Sequence, residues 1–317
     1  MRILLVKTSS LGDVIHNLPV VSDIGRYFPA ATVDWCVEES FASIPRLHPR
    51  VGDVIPVAVR RWRKSPFAAR TWREVRAVRA RLRAANYDAV IDTQGLVKSA
   101  LIARWAGRPV AGYDSRSARE PLAARAYARH FAVARELHAV ERNRRLAAAA
   151  LDYSLSFPLD YGICAEPASA DWLPSRPYVV LLTATSRDDK LWPEAHWVDL
   201  GQRLQRHGFH AVLPGGSPVE RERALRLAGA IPGAVAAPSL RIPELAELLA
   251  GARAVVGVDT GLTHLATALA VPTVALYTAT EPGLTGVLGS GFFRNLGGKG
   301  QLPAVDTVLE TLRPVLF

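Results

Sequence analysis

With 317 residues and 49% hydrophobic composition, the chain is too long for one ordinary domain and carries apolar material for two cores of roughly 150 residues each. Its net charge of +10 is unevenly spread: residues 1–160 hold 26 Lys and Arg against 15 Asp and Glu, whereas residues 161–317 hold 13 against 14. Cys36 and Cys164 are the only cysteines, without a partner at metal-ligand spacing, so both read as reduced thiols and neither a disulfide framework nor a zinc site is expected. No run approaches the roughly 18 apolar residues of a membrane span, which leaves a cytoplasmic protein with at most peripheral membrane contact.

In chain order, short apolar runs alternate with helical segments. Residues 3–7 read as a strand rather than a signal peptide, because the run ends at Lys7 and a small-residue turn without a cleavage pattern. Further strands are expected at 32–37, 53–57, 87–92 and 110–113, with helices near 14–27, 66–85, 97–106 and 138–151. The Pro-, Ala- and Ser-rich stretch 157–177 lacks a sustained period and reads as a linker. Beyond it, strands at 178–183, 210–213, 254–258 and 273–277 alternate with helices near 194–207, 218–229, 243–250 and 261–269. This alternation predicts an α/β protein of two doubly wound parallel-sheet domains, 1–160 and 161–317, with the last helix packing back on the first domain. A ligand is expected in the crevice between them, where loops at the carboxyl ends of parallel strands gather.

Those strand ends carry the chemistry. After the first strand, Ser10 to Asp13 matches a capping box, yet Asp13 also stands where a general base would remove a proton from a hydroxyl nucleophile; the pattern supports both. His16, one turn on, reads as a packed histidine. Residues 60–83 contain ten basic side chains against Glu74 alone, a field for polyanions. The arginines from 73 to 83 read as a solvated helix face, while Arg60-Arg61-Trp62-Arg63-Lys64, before Pro66, reads as a functional loop. In the second half, Thr185, Ser186 and Lys190 suit a diphosphate; Asp188 and Asp189 are weak evidence for a metal. Glu220, behind Gly215-Gly216-Ser217-Pro218, is either a ribose ligand or a helix-start acid. At Val258-Asp259-Thr260-Gly261-Leu262-Thr263-His264 a strand runs into a helix whose first amides can face phosphate, with Asp259 and His264 beside them. No P-loop, dinucleotide fingerprint or nucleophile elbow is present.

Taken together, Val6-Lys7-Thr8-Ser9-Ser10-Leu11-Gly12-Asp13-Val14 with Asn17-Leu18-Pro19, the basic knot at 60–64, Asp92-Thr93-Gln94-Gly95-Leu96-Val97-Lys98-Ser99, Ala118-Arg119-Glu120-Pro121, Arg187-Asp188-Asp189-Lys190 with Trp192-Pro193, and residues 258–264 resemble the lipopolysaccharide heptosyltransferases of glycosyltransferase family 9, type I more than type II. The resemblance runs through nearly the whole chain in order. It implies a GT-B fold, ADP-L-glycero-β-D-manno-heptose as donor, the inner Kdo of Kdo2-lipid A as acceptor, and transfer with inversion, with no obligatory cofactor or metal. It also implies a place on the cytoplasmic face of a Gram-negative inner membrane, against its anionic surface.

Carried over residue by residue, the resemblance makes Asp13 the base. It puts Thr185, Ser186, Lys190, Thr260 and Gly261 on the diphosphate, Glu220 on the ribose, Leu240 near the adenine where the family usually has methionine, and Asp259 with His264 on the heptose and phosphate side. Arg60, Arg61, Arg63, Lys64 and Arg119 fall to the acceptor's phosphates and carboxylates. The alternatives are a type II enzyme or another acceptor within the family and, more remotely, a nucleic-acid-binding protein; the arginines come with no nucleic-acid-binding motif, so no nucleic-acid partner is expected.

Overall fold

Runs such as Ile3-Leu4-Leu5-Val6 lack polar alternation, the pattern of strands buried on both faces of a parallel sheet. The computed structural model, which describes residues 1–175 and 177–317, places them there. Contacts divide the chain into two units, Met1–Gly162 and Ile163–Phe317. The expected linker at 157–177 contains Arg176, which lies outside the described residues.

In the first unit the order is β1 (Arg2–Val6), α1 (Leu11–Ile15), α2 (Leu18–Tyr27), β2 (Thr32–Glu38), α3 (Ser43–Arg46), β3 (Val51–Val57), α4 (Val59–Lys64), α5 (Ala69–Ala84), β4 (Ala89–Asp92), α6 (Val97–Arg104), β5 (Val110–Tyr113), β6 (Arg129–Phe131) and α7 (Ala139–Leu151). Its six strands pair in the order β3-β2-β1-β4-β5-β6, all parallel. The second unit comprises β7 (Tyr178–Leu182), α8 (Glu194–Arg206), β8 (His210–Leu213), α9 (Pro218–Ala230), β9 (Val235–Ala236), α10 (Ile242–Ala250), β10 (Ala254–Val258), α11 (Gly261–Ala268), β11 (Thr273–Tyr277), β12 (Phe293–Gly297) and α12 (Val305–Leu316). Its sheet is β12-β11-β10-β7-β8-β9, again all parallel. Counted from each unit's own first strand, the two sheets have the same order, 3-2-1-4-5-6, with the first and fourth strands paired at the centre. Each sheet reverses direction next to its first strand, β1 beside β4 and β7 beside β10, and such a reversal opens a gap between diverging loops where ligands bind.

The structure departs from the expectations in four places. The helix expected at 14–27 is two, because Pro19 in the first turn of α2 cannot donate an amide and its ring clashes with the carbonyl one turn back. Residues 60–64 are not a loop: α4 closes through Trp62 N to Ala58 O at 2.8 Å and buries the Trp62 side chain, while Pro66 restricts only Ser65, past the helix end. Strands β6, β9 and β12 carried no apolar signal because each lies at a sheet edge and is only partly buried. Finally, α12 packs in the second unit. Val305, Val308, Leu312 and Leu316 recur on one helical face and join Trp192, Trp197, Val256 and Leu276 in one core. Trp192 Nε1 donates to Pro303 O at 2.9 Å just ahead of the helix. Burial of each Val or Leu side chain is worth about 1.5–3 kcal/mol, enough to hold this helix on its own sheet. Of the cysteines, Cys36 is buried in β2, which pushes its thiol pKa up, and Cys164 is exposed.

Close packing sets α11 against β10. A Cβ added at Gly257 would lie 2.2 Å from Thr263 Oγ1 and 3.0 Å from Leu182 Cβ, both inside the second unit. Gly257→Ala is therefore expected to cost about 1–3 kcal/mol. In denaturant titrations it should lower the midpoint of the second unit while leaving the first unit's transition in place.

Candidate active site

In the first unit the site residues gather where β1 and β4 end. Ser10 caps α1, and Asp13, third in the helix, returns its carboxylate: Oδ2 accepts from the Ser10 amide at 2.8 Å and the Ser10 hydroxyl at 3.0 Å. The capping reading of the sequence is thus realised. It does not consume the carboxylate, whose two oxygens offer about four acceptor sites. Arg119 comes to 3.9 Å of the same Oδ2 with 67% of its side chain exposed, a pair too wet to contribute much stability but close enough to put a cation beside the acid.

Beneath this rim lies a buried polar layer to which the sequence reading assigned no role. Gln94 Oε1 accepts from the amides of Thr8 and Ser9 at 2.9 and 3.1 Å and so sets the turn that carries Asp13. Lys7 Nζ donates to Thr93 O at 2.9 Å and Asn143 Oδ1 at 3.3 Å. Burial pulls the Lys7 ammonium pKa below the usual lysine range, against the opposing pull of Asp13 and Asp92. Burial likewise raises the Asp92 pKa, offset in part by donation from the hydroxyls of Ser99 and Tyr127 and the amides of Gln94 and Gly95. His16 is buried and meets the His138 ring edge-on at 5.4 Å, the packed role expected of it.

The basic residues of α4 divide in two. Arg61 is held by Glu39 (3.0 Å) and Glu74 (2.8 Å), and Trp62 Nε1 also donates to Glu74 at 2.7 Å. The hydrogen bonds from Trp62, Arg70 and Arg61 depress the Glu74 pKa to about 2, so this clasp between α4 and α5 persists until strongly acid pH and is lost as pH falls through that value. Arg60 stacks over the Phe41 ring at 5.1 Å, while Arg63 and Lys64 are exposed and, among the described residues, in no ion pair. The last two are the cations available to an anion without breaking a protein contact.

In the second unit the residues sit where β7 and β10 end, at the matching reversal. Lys190 Nζ donates to Asp259 Oδ2 at 2.6 Å, with the two side chains only 18% and 14% exposed. Thr280 Oγ1 donates to the same oxygen at 2.8 Å, and Thr185 Oγ1 donates to the Asp259 backbone carbonyl at 3.0 Å. His264 Nε2 stands 4.0 Å from Asp259 Oδ1. Lysine and aspartate, separately assigned from sequence to phosphate and sugar, are thus one cluster. Thr280, in the loop that follows β11, belongs to no motif in the sequence, and its strand-end position is the one signal there that points to it. Thr260 is the N-cap of α11; Thr263 N is already bonded to Thr260 O at 3.1 Å, so the expected run of anion-facing amides loses its last member.

Next to this cluster a concave pocket is lined by Leu182, Pro214, Pro238, Leu240 and Leu245, with the backbone of Gly215 and Gly216, Glu220 and Thr260 on its polar side. Glu220 Oε2 accepts from the amides of Gly216 (2.9 Å) and Ser217 (2.8 Å), so the helix-start role is in place while the residue also faces the pocket. A Cβ at Gly215 would come within 2.7 Å of the Arg221 amide, which accounts for glycine in this turn. Ser186 and Asp188 are exposed, and Asp189 turns to an ion pair with Arg187. Among the described residues no three His, Cys, Asp or Glu side chains form a metal-holding group.

Comparison with known proteins agrees along the chain. Residues 75–306 match the model of glycosyltransferase family 9 (heptosyltransferase). Lipopolysaccharide heptosyltransferase 1 of Pseudomonas aeruginosa is 53% identical over 291 residues, covering 91% of this chain and 82% of that protein. The solved structure of the E. coli heptosyltransferase WaaC with ADP is 44% identical, covers 99% of both chains and superimposes with a TM-score of 0.91; the same enzyme with ADP-2-deoxy-2-fluoro heptose gives 0.89 at 43% identity. The chain belongs to glycosyltransferase family 9, the heptosyltransferases.

Proposed function

We propose that this chain is an inverting heptosyltransferase that moves L-glycero-D-manno-heptose from ADP-heptose to the inner Kdo of Kdo2-lipid A, working at the cytoplasmic face of a Gram-negative inner membrane. The observation that carries the donor half is the Lys190–Asp259–Thr280 cluster at the β7/β10 reversal, next to an apolar pocket with Glu220 on its polar side. Support for the donor's identity comes from the relatives, whose structures hold ADP and an ADP-heptose analogue.

In this reading the adenine lies against Leu240 and its apolar neighbours, and Glu220 takes the ribose through the carboxylate oxygen that does not cap α9. The diphosphate is received by Lys190, Thr185, Ser186 and the first amides of α11 at Thr260 and Gly261. Asp259 and His264 hold the heptose side. When diphosphate takes Lys190, Thr280 still donates to Asp259, so the carboxylate keeps its orientation toward sugar hydroxyls. Asp13 removes the proton from the attacking Kdo hydroxyl. The new C–O bond forms on the face opposite the breaking C–O bond to ADP, which inverts the anomeric centre, and the electron pair leaves on the diphosphate. Preorganised cations and amides are worth most at that oxygen because its charge grows only in the transition state. On the acceptor, Arg60, Arg63, Lys64 and Arg119 meet phosphate and carboxylate groups, and the Glu39–Glu74 clasp leaves Arg61 as the anchor of the α4 helix as much as a ligand.

Three outcomes test the reading. With ADP-heptose and Kdo2-lipid A, Asp13→Asn should lower kcat by roughly 10²–10⁴-fold while calorimetry finds ADP affinity within about twofold of the parent protein; retention of most of the rate rejects Asp13 as base. Lys190→Ala should weaken ADP binding and reduce kcat/KM about 10²-fold or more, because it removes a charge felt in both ground and transition states. Arg63→Gln with Lys64→Gln should raise the apparent KM for acceptor several-fold more than that for donor, and equal rises would argue against an acceptor role. Turnover of an already heptosylated acceptor in preference to Kdo2-lipid A would reassign the protein within the family.

A further inference from the structure

The charge of α5 is unevenly used around its circumference. Thr71, Val75, Val78 and Leu82 recur at helical spacing and face inward: Thr71 and Leu82 are buried, and the two valines pack on the first core. One flank carries Arg70, Glu74 and Arg81, whose charges are engaged in pairs with one another, with Arg61 and with Asp53. The opposite flank repeats the same spacing with Trp72, Arg76, Arg79 and Arg83, all exposed, and Arg73 lies on the crown. Among the described residues none of these four arginines is in an ion pair. At the helix's leading end, in the connection between α4 and α5, Phe67 is 93% exposed, and Trp72 is 53% exposed.

We propose that this flank of α5, with Phe67 and Trp72 at its leading end, is the surface on which the protein lies against an anionic phospholipid bilayer. The inference rests on the membrane location proposed for the transferase and gives it an address. Two large aromatics held in water at the end of a helix whose adjoining flank is cationic form the pattern of an interfacial helix: the rings enter the headgroup boundary while arginine stems lie along it with their charges at phosphate depth. Charge complementarity selects the occupant. Four guanidiniums without carboxylate partners face a surface of fixed negative charge, and no helix among the described residues is long and apolar enough to cross a membrane, so attachment through helices must be made from one side. Nucleic acid would share the electrostatics, but exposed rings gathered at one end of the stripe suit an interface better than a path along a phosphate backbone.

The test uses the full chain with vesicles of phosphatidylethanolamine and phosphatidylglycerol that contain no lipid A. The unmodified protein should co-sediment with them, less so as salt rises, and not with purely zwitterionic vesicles. Arg73→Gln/Arg76→Gln/Arg79→Gln should reduce partitioning on the order of a hundredfold, and Phe67→Ser/Trp72→Ser about tenfold or more. Should Trp72→Ser impair folding, Phe67→Ser alone carries the aromatic arm. All these variants should turn over a deacylated, water-soluble acceptor within about twofold of the parent rate, while their apparent KM for vesicle-embedded acceptor rises. Variants that sediment like the parent protein overturn the proposal and leave the transferase reading intact. Loss of turnover on the soluble acceptor also overturns it, because the flank would then belong to the acceptor subsite. So does parent protein that sediments only when lipid A is present, or that shows the charge dependence with duplex RNA and not with vesicles.

Discussion

A parallel sheet delivers all its outgoing loops to one edge, and a reversal of strand order makes two of them diverge. That constraint underlies both halves of this protein. In the first unit it sets the β1 loop, with Asp13, beside the β4 loop, with Gln94; in the second it sets Lys190 after β7 beside Asp259 after β10. Neither pair is close in sequence. The chemistry at each reversal is then held by short bonds across the gap: Gln94 to the amides of Thr8 and Ser9, Lys190 and Thr280 to one carboxylate oxygen.

Several of the residues that matter have two occupations. Asp13 caps a helix and stands beside Arg119; Glu220 caps α9 and faces the pocket. Capping fixes a carboxylate through one oxygen in a known direction while the second remains an acceptor, which is what a positioned base or a ribose ligand requires. The choice between structural and chemical roles, which the residue pattern alone leaves open, is therefore not a choice that the fold has to make.

Charge follows a similar division of labour. The basic stretch 60–83 reads as one continuous field along the sequence, yet in three dimensions Glu39, Glu74 and Asp53 neutralise one side of the α4–α5 region and leave another bare. Glu74 alone meets Arg61, Arg70 and the Trp62 indole. Glu74 from within the basic stretch, with Glu39 and Asp53 from outside it, thus decides which cations are tied down and which face outward.

The sequence by itself determined the repeated βαβ pattern, the central strands of both sheets, the strand-end positions of Asp13 and Asp259, and the charge asymmetry of the two halves, because these depend on local periodicity and on residue types at turns. Only the tertiary structure decided that Lys190 and Asp259 form one cluster, that Thr280 bonds Asp259 and Gln94 the turn before Asp13, that residues 60–64 are helical, that α12 joins the second core, and that Phe67 and Trp72 stay in solvent. Edge strands β6, β9 and β12 were likewise invisible, since half-exposed residues need no apolar run. The physical reason is common to all of these: burial and ion pairing are properties of surfaces brought together from distant parts of the chain, and no window of sequence contains both sides of such a contact.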